Sequence, residues 1–165
     1  MHSRVDAIEN VWGSKEPVAE REVRIVRELG ATPPQAFTAY ARPEHLKRWF
    51  GPVGWPVTTC EMDFRVGGRF RFQMTGPAGE QGPPFGGEYL EIEPGKRIVY
   101  ANGFFEPGSE TMVVSVTLEQ TAKGCRLTLH TLFQSGAMRR FHVDQGFVEG
   151  TRSGIDQLAV LAPTL

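Results

Sequence analysis

Cysteine is scarce: the 165 residues hold two, Cys60 and Cys125, far apart and each inside a strand-like run. With no CxxC and no Cys/His spacing of a zinc site, a disulfide framework and a sequence-legible metal centre are excluded. Both thiols read as small buried hydrophobes kept reduced. An excess of charge is lacking as well, 18 basic residues standing against 19 acidic ones for a formal charge of −1. That balance leaves no electrostatic footprint for a nucleic acid or an anionic membrane, so no nucleic-acid partner is expected. No apolar run approaches a membrane span, and the opening "MHSRVDAIENVWGSKEPVAE" holds no apolar core of signal-peptide length. The expectation is a cytoplasmic protein without a membrane span. A nucleophile elbow, a Walker loop, a dinucleotide-binding glycine motif and a metal triad are all absent, and the four histidines give no ligand pair. No cofactor and no metal are called for, the chain announces no reaction, and whether it is an enzyme stays open.

What is present is periodicity. Residues 1–19 are polar, contain Gly13 and Pro17, and read as an N-terminal arm outside the core, with Val11 and Trp12 available to pin it. Residues 20–165 read as a single domain, long enough to bury roughly two-thirds of its unfolded surface. "REVRIVREL" (21–29) alternates, with Val23, Ile25 and Leu29 on one face. "TPPQAFTAYARPEHLKRWFGP" reads as two short helices, capped by Thr32 and opened by Pro33, Pro34 and Pro43. From residue 57 to 133 the period becomes two, in six strands joined by turn signals at Gly76-Pro77, Pro94-Gly95, Pro107-Gly108 and Lys123-Gly124. Hairpin-length links make these an antiparallel meander with one wet and one dry face. The tail then returns to a helical period over 136–162, and a helix of about twenty residues there, roughly 30 Å long, could lie across the concave side of the sheet. The order β, α, α, six β, long α gives an α+β fold, a curved antiparallel sheet of about seven strands around a C-terminal helix with an internal cavity.

Four stretches carry a resemblance: "AFTAYARPEHLKRWFGP" (36–52), "DFRVGGRFRF" (63–72), "GGEYLEIEPGKRIVY" (86–100) and "GTRSGIDQLAVL" (150–161). With them the chain resembles the SRPBCC superfamily, the START-like helix-grip fold, over residues 21–162. Within it the chain is similar to the homologues of the activator of the heat-shock protein ninety ATPase. The resemblance implies that Gly67 and Gly68 let the chain turn sharply between the second and third strands, and that Phe70 and Phe72 point into the enclosed space. Asp63 and Arg65 could pair across that turn. One departure stands out: family members often carry Gly-Trp at the last helical motif, where this chain has Gly150-Thr151. Gly146, Gly150 and Gly154 recur at spacing four in that helix, for close packing on a strand or for space left to a ligand.

The residues expected to line the cavity, and to touch a ligand there, are Trp49, Phe50, Trp55, Phe70, Phe72, Tyr89, Tyr100, Phe104, Phe133, Phe147 and Thr151. An enclosure so rich in aromatics suits a flat or lipophilic molecule, and the same rings would fill a core if the space were small. Polar candidates are His130, His142, Asp144, Glu149, Arg152, Asp156 and Gln157. His142 and Asp144, at i and i+2, do not share a helical face, and His130 shares its strand face with Arg126 and Thr128, on the outside. These read as surface groups, and no catalytic residue is assigned. The function expected is binding of a small hydrophobic or aromatic molecule. The alternatives are a polyketide cyclase or dehydratase, as among superfamily relatives, and a chaperone-interaction module, as the family name implies. A homodimer through a strand edge or Trp12 is a further expectation.

Overall fold

The computed structural model describes residues 14–165. The expectations about residues 1–13, including Val11 and Trp12, lie outside the described residues. Seven strands form one antiparallel sheet in the order β1-β7-β6-β5-β4-β3-β2. They are β1 (Glu22–Leu29), β2 (Val57–Met62), β3 (Arg69–Met74), β4 (Phe85–Glu93), β5 (Arg97–Phe104), β6 (Thr111–Thr121) and β7 (Gly124–Phe133). Strands two to seven are the meander that alternation and turn residues dictate. The first strand closes on the last, with Val23 opposite Thr131 and Leu29 opposite Cys125.

Two helices, α1 (Pro33–Ala41) and α2 (Pro43–Leu46), fill the link between β1 and β2. The start of α1 is a capping box: the Gln35 N–H donates to the Thr32 hydroxyl at 3.3 Å and the Thr32 N–H donates to the Gln35 side-chain oxygen at 2.9 Å. Pro33 and Pro34 sit where the helix has no backbone donor to satisfy. Ala36, Ala39 and Tyr40 of α1 and Leu46 of α2 are buried against the concave side.

The C-terminal helix is the first difference from expectation. The tail forms two helices, α3 (Gly136–Asp144) and α4 (Phe147–Leu161), separated at Gly146. Gly146 has φ of 89°, a left-handed conformation that glycine adopts without steric cost, and the chain changes direction there. Apolar residues recur at helical spacing on both sides of the break, so periodicity alone cannot reveal it. The longer piece, α4, spans roughly 22 Å and buries Ile155, Leu158 and Leu161.

Two residues just before β1, Glu16 and Arg21, are tied to the start of α3 and the end of β7. The Gly136 N–H at the start of α3 donates to the Glu16 carboxylate at 2.8 Å, and the Arg21 guanidinium reaches the Glu16 and Phe133 carbonyls. Ser135 caps the same helix through the Met138 N–H at 3.0 Å. Both cysteines are unpaired, and burial pushes the Cys60 thiol up to about 11. Among the described residues no helix is long and apolar enough to cross a membrane.

The glycine pair explains one corner of the sheet. Residues 63–68 link β2 to β3, and the link is clamped onto β4: the Gly67 N–H donates to the Tyr89 carbonyl at 2.8 Å, and the Tyr89 N–H donates to the Gly68 carbonyl at 2.9 Å. Gly67 has φ of 82° and open space around it, whereas a side chain on Gly68 would overlap the Asp63 carbonyl. Asp63 and Arg65 pair at 2.7 Å on the exposed side of this turn. A register shift between Tyr89 and Glu91 bends β4 beside it.

Candidate functional site

Between α4 and the middle of the sheet lies a cavity of about 440 Å³. Its floor is the inward face of β5, β6 and β7, where alternation points Tyr100, Asn102, Met112, Val114, Leu129 and Thr131 to the same side. The 50–56 loop forms one wall and is clipped to α4. The Gln157 side-chain amide donates to the Gly51 carbonyl at 2.8 Å, and the Val53 N–H donates to the Ser153 hydroxyl at 2.9 Å. Gly154 makes this approach close, since a methyl there would sit 3.3 Å from the Gly51 carbonyl oxygen.

Of the residues expected to line the space, Trp49, Phe50, Trp55, Tyr100, Phe104, Phe147 and Thr151 stand on this wall. The Trp49 indole N–H donates to the Ala39 carbonyl at 2.9 Å, which fixes the ring in the wall with its polar atom satisfied. Phe70, Phe72, Tyr89 and Phe133 are not on it. Phe70 packs at 4.9 Å from Phe72, 5.1 Å from Tyr89 and 5.5 Å from Tyr100. The space beside Phe70, Phe72 and Tyr89 is about 10 Å³, no more than one water needs. These three rings are core, because Tyr40 of α1 and Leu46 of α2 close over them and leave no room. Phe133 is wholly buried, with the His142 ring stacked at 5.4 Å and the Phe147 ring edge-on at 5.3 Å. It anchors the α3–α4 corner to β7.

The polar candidates divide in the same way. His142 stands on the cavity wall, whereas Asp144, Glu149, Arg152 and Asp156 do not. Asp156 pairs with Arg27 of β1 on the surface, and Gln157 holds the 50–56 loop. His130 lies on the outer side of β7, yet it is buried there, its imidazole 2.7 Å from the Glu22 carboxylate. Sequence reasoning missed Tyr40, Met74, Asn102, Glu110 and Thr131 as wall residues. Thr131 carried a signal: it alternates inward with Leu129 and Phe133 in "LTLHTLF", a polar group on an otherwise apolar face.

Burial holds the His142 imidazole below its ordinary value, with the Glu110 carboxylate opposing the shift. The folded protein therefore takes up this proton less readily than the unfolded chain. Stability from this group is complete above pH about 6.5 and is lost as pH falls through the unfolded value toward the folded one. His142→Phe keeps a ring on Phe133 and removes the titration. Its melting temperature should fall less steeply than that of the wild type as pH drops below about 6.5, and parallel curves would contradict this. Burial also keeps the Tyr40 and Tyr100 phenols well above their ordinary value, so both stay uncharged.

The three spaced glycines have three explanations. Gly146 turns the chain and Gly154 lets α4 approach Gly51, whereas Gly150 has nothing closer than the Pro52 Cβ at 4.0 Å. Gly150→Ala should therefore raise stability by about 0.5–1 kcal/mol through helix propensity alone. A loss of stability in urea titration would show a contact that the space around Gly150 does not contain.

The family model described as "Activator of Hsp90 ATPase homolog 1-like protein" matches residues 30–162. A crystal structure of a Nitrosomonas europaea protein is similar, with 31% identity, a TM-score of 0.78, and coverage of 87% of this chain and 94% of that one. A Chromobacterium violaceum crystal structure has 28% identity and a TM-score of 0.72 over 87% of this chain and 98% of that one. The solution structure of an Arthrobacter aurescens protein has 26% identity and a TM-score of 0.81 over 92% and 91%. No curated protein matches the chain at a significant level.

Proposed function

The chain belongs to the family described as Activator of Hsp90 ATPase homolog 1-like protein, and on that premise we propose that it binds a small lipophilic molecule, flat and aromatic by preference, between α4 and the sheet. The observation that carries this reading is the cavity itself, about 440 Å³, within the range typical of small-molecule sites. Rings of Trp49, Phe50, Trp55, Tyr100, Phe104 and Phe147 around that space favour stacking and edge contacts with a flat guest. Among the described residues the polar groups on the wall include the Tyr40, Tyr100 and Thr131 hydroxyls and the Asn102 amide, which do not titrate near neutral pH, together with His142 and the exposed Glu110. The buried hydroxyls and the amide can orient a guest but cannot exchange a proton with it as an acid/base pair would, and the carboxylate that could pair with His142 is exposed to solvent, so binding is favoured over a cyclase or dehydratase reaction. The two unpaired thiols suit a carrier working in the reducing cytoplasm. The family's name describes a chaperone activator; the cavity supplies the reading for this chain.

The test is a titration with N-phenyl-1-naphthylamine, an uncharged probe that fluoresces in apolar surroundings. The wild type should give saturable enhancement. Thr151→Phe, which puts a ring into the cavity from α4, should weaken binding by about tenfold or more while the variant stays folded. No saturable signal from the wild type would end the proposal.

A further inference from the structure

Among the described residues, two polar atoms at the cavity lack a protein partner. Thr131 on β7 is fully buried, and its hydroxyl meets no hydrogen-bonding group; the side-chain oxygen of Asn102 on β5 is likewise buried without one. Both residues stand on the cavity wall. Native structures satisfy nearly all such buried groups, so two unmet groups on residues that line the same space need an explanation, and a ligand that moves into reach and completes the bonds supplies it.

The register fixes where they are. Tyr100 lies opposite Val114 and Val114 opposite Thr131, while Asn102 lies opposite Met112 and Met112 opposite Phe133. Thr131 and Asn102 are therefore two strands and one same-face step apart, roughly 12 Å between Cα atoms at standard strand spacing. The concave curvature brings the ends of the side chains closer than that. A rigid guest two rings long has the reach to meet both.

Charge narrows the guest further. Among the described residues no Lys or Arg stands on the wall, and its one carboxylate is the exposed Glu110. A carboxylate guest would be desolvated with no cation to receive it and with Glu110 to repel it. An uncharged guest meets neither obstacle. A hydroxyl suits both polar atoms, since it can donate to the Asn102 oxygen and either donate to or accept from the Thr131 hydroxyl.

Resting on the binding function proposed above, we propose that the ligand class is an uncharged, hydroxylated aromatic of two or more rings, held at its polar ends by Asn102 and Thr131, and that carboxylates are rejected. The experiment displaces N-phenyl-1-naphthylamine with naphthalene, 2-naphthol, 2,6-dihydroxynaphthalene and 2-naphthoate, using wild type, Thr131→Val, Thr131→Ser and Asn102→Leu. In the wild type each added hydroxyl should tighten binding about five- to tenfold, with 2-naphthoate weaker than naphthalene. Thr131→Val and Asn102→Leu should each remove about one such step of the diol's preference over naphthalene, whereas Thr131→Ser should keep the preference. Equal binding of the three neutral probes, an unchanged order in Thr131→Val and Asn102→Leu, tightest binding of 2-naphthoate, or failure of every naphthalene compound to displace a bound dye overturns this inference and leaves the cavity a binding site. Failure of the dye itself to bind the wild type overturns both.

Discussion

Gly68→Ala is expected to be among the most damaging single-methyl changes in the chain, lowering stability by about 3 kcal/mol and the melting temperature by about 10 °C. The methyl would overlap the Asp63 carbonyl, with the Arg65 carbonyl oxygen 2.9 Å away on the same turn. Both obstacles are backbone, and neither can rotate aside as a side-chain end would. The turn cannot simply open either, because it is bonded to Tyr89 of β4 on both sides of the glycine pair. Gly67→Ala meets open space and has only the left-handed φ to overcome, a cost of about 1 kcal/mol. Urea denaturation of the two variants side by side checks the ranking. Equal losses would mean that conformation, not contact, is what position 68 requires.

Phe70→Ala should cost about 3–5 kcal/mol while leaving the affinity for N-phenyl-1-naphthylamine within about twofold. Phe70 is buried among Phe72, Tyr89 and Tyr100, so truncation removes several ring contacts and leaves a void. It does not stand on the wall of the large cavity. Thr151→Phe is its converse, with binding lost and the fold kept. If Phe70→Ala at temperatures where it remains folded fails to bind the probe, the partition between core aromatics and wall aromatics drawn above is wrong.

That partition marks where sequence reasoning stopped. The strands were legible because alternation in stretches such as "RFRFQM" and "TMVVSVTLEQT" follows the pleat, and the turns carry Gly and Pro between them. The capping box at Thr32 and Gln35 was half visible, through Thr32 followed by two prolines. Inward direction was readable for Phe70, Phe72, Tyr100 and Phe133 alike, since period two gives the face. What covers each part of that face was not, because it depends on where α1, α2 and α4 come to rest. Phe70 and Phe72 fall beneath the helical cap, whereas Tyr100 lies where the cap ends and the cavity begins. The break at Gly146 was hidden for a related reason. A glycine in a helical pattern can mark a turn, a close contact or a gap, and the three glycines of the tail supply one of each. Thr131 and Asn102 carry no charge or titrating group to mark them, and the one signal in the sequence is a lone polar residue on an inward face.

The most direct measurement of the central claim is a crystal structure of the protein purified from its native host, with the electron density between α4 and the sheet as the result. The account predicts continuous non-protein density of a flat molecule against Trp55, Tyr100 and Thr151, with polar atoms reaching Asn102 and Thr131. A cavity collapsed on itself, with the Trp55, Phe104 and Phe147 rings packed together over the β5–β7 floor and no density between them, would contradict it.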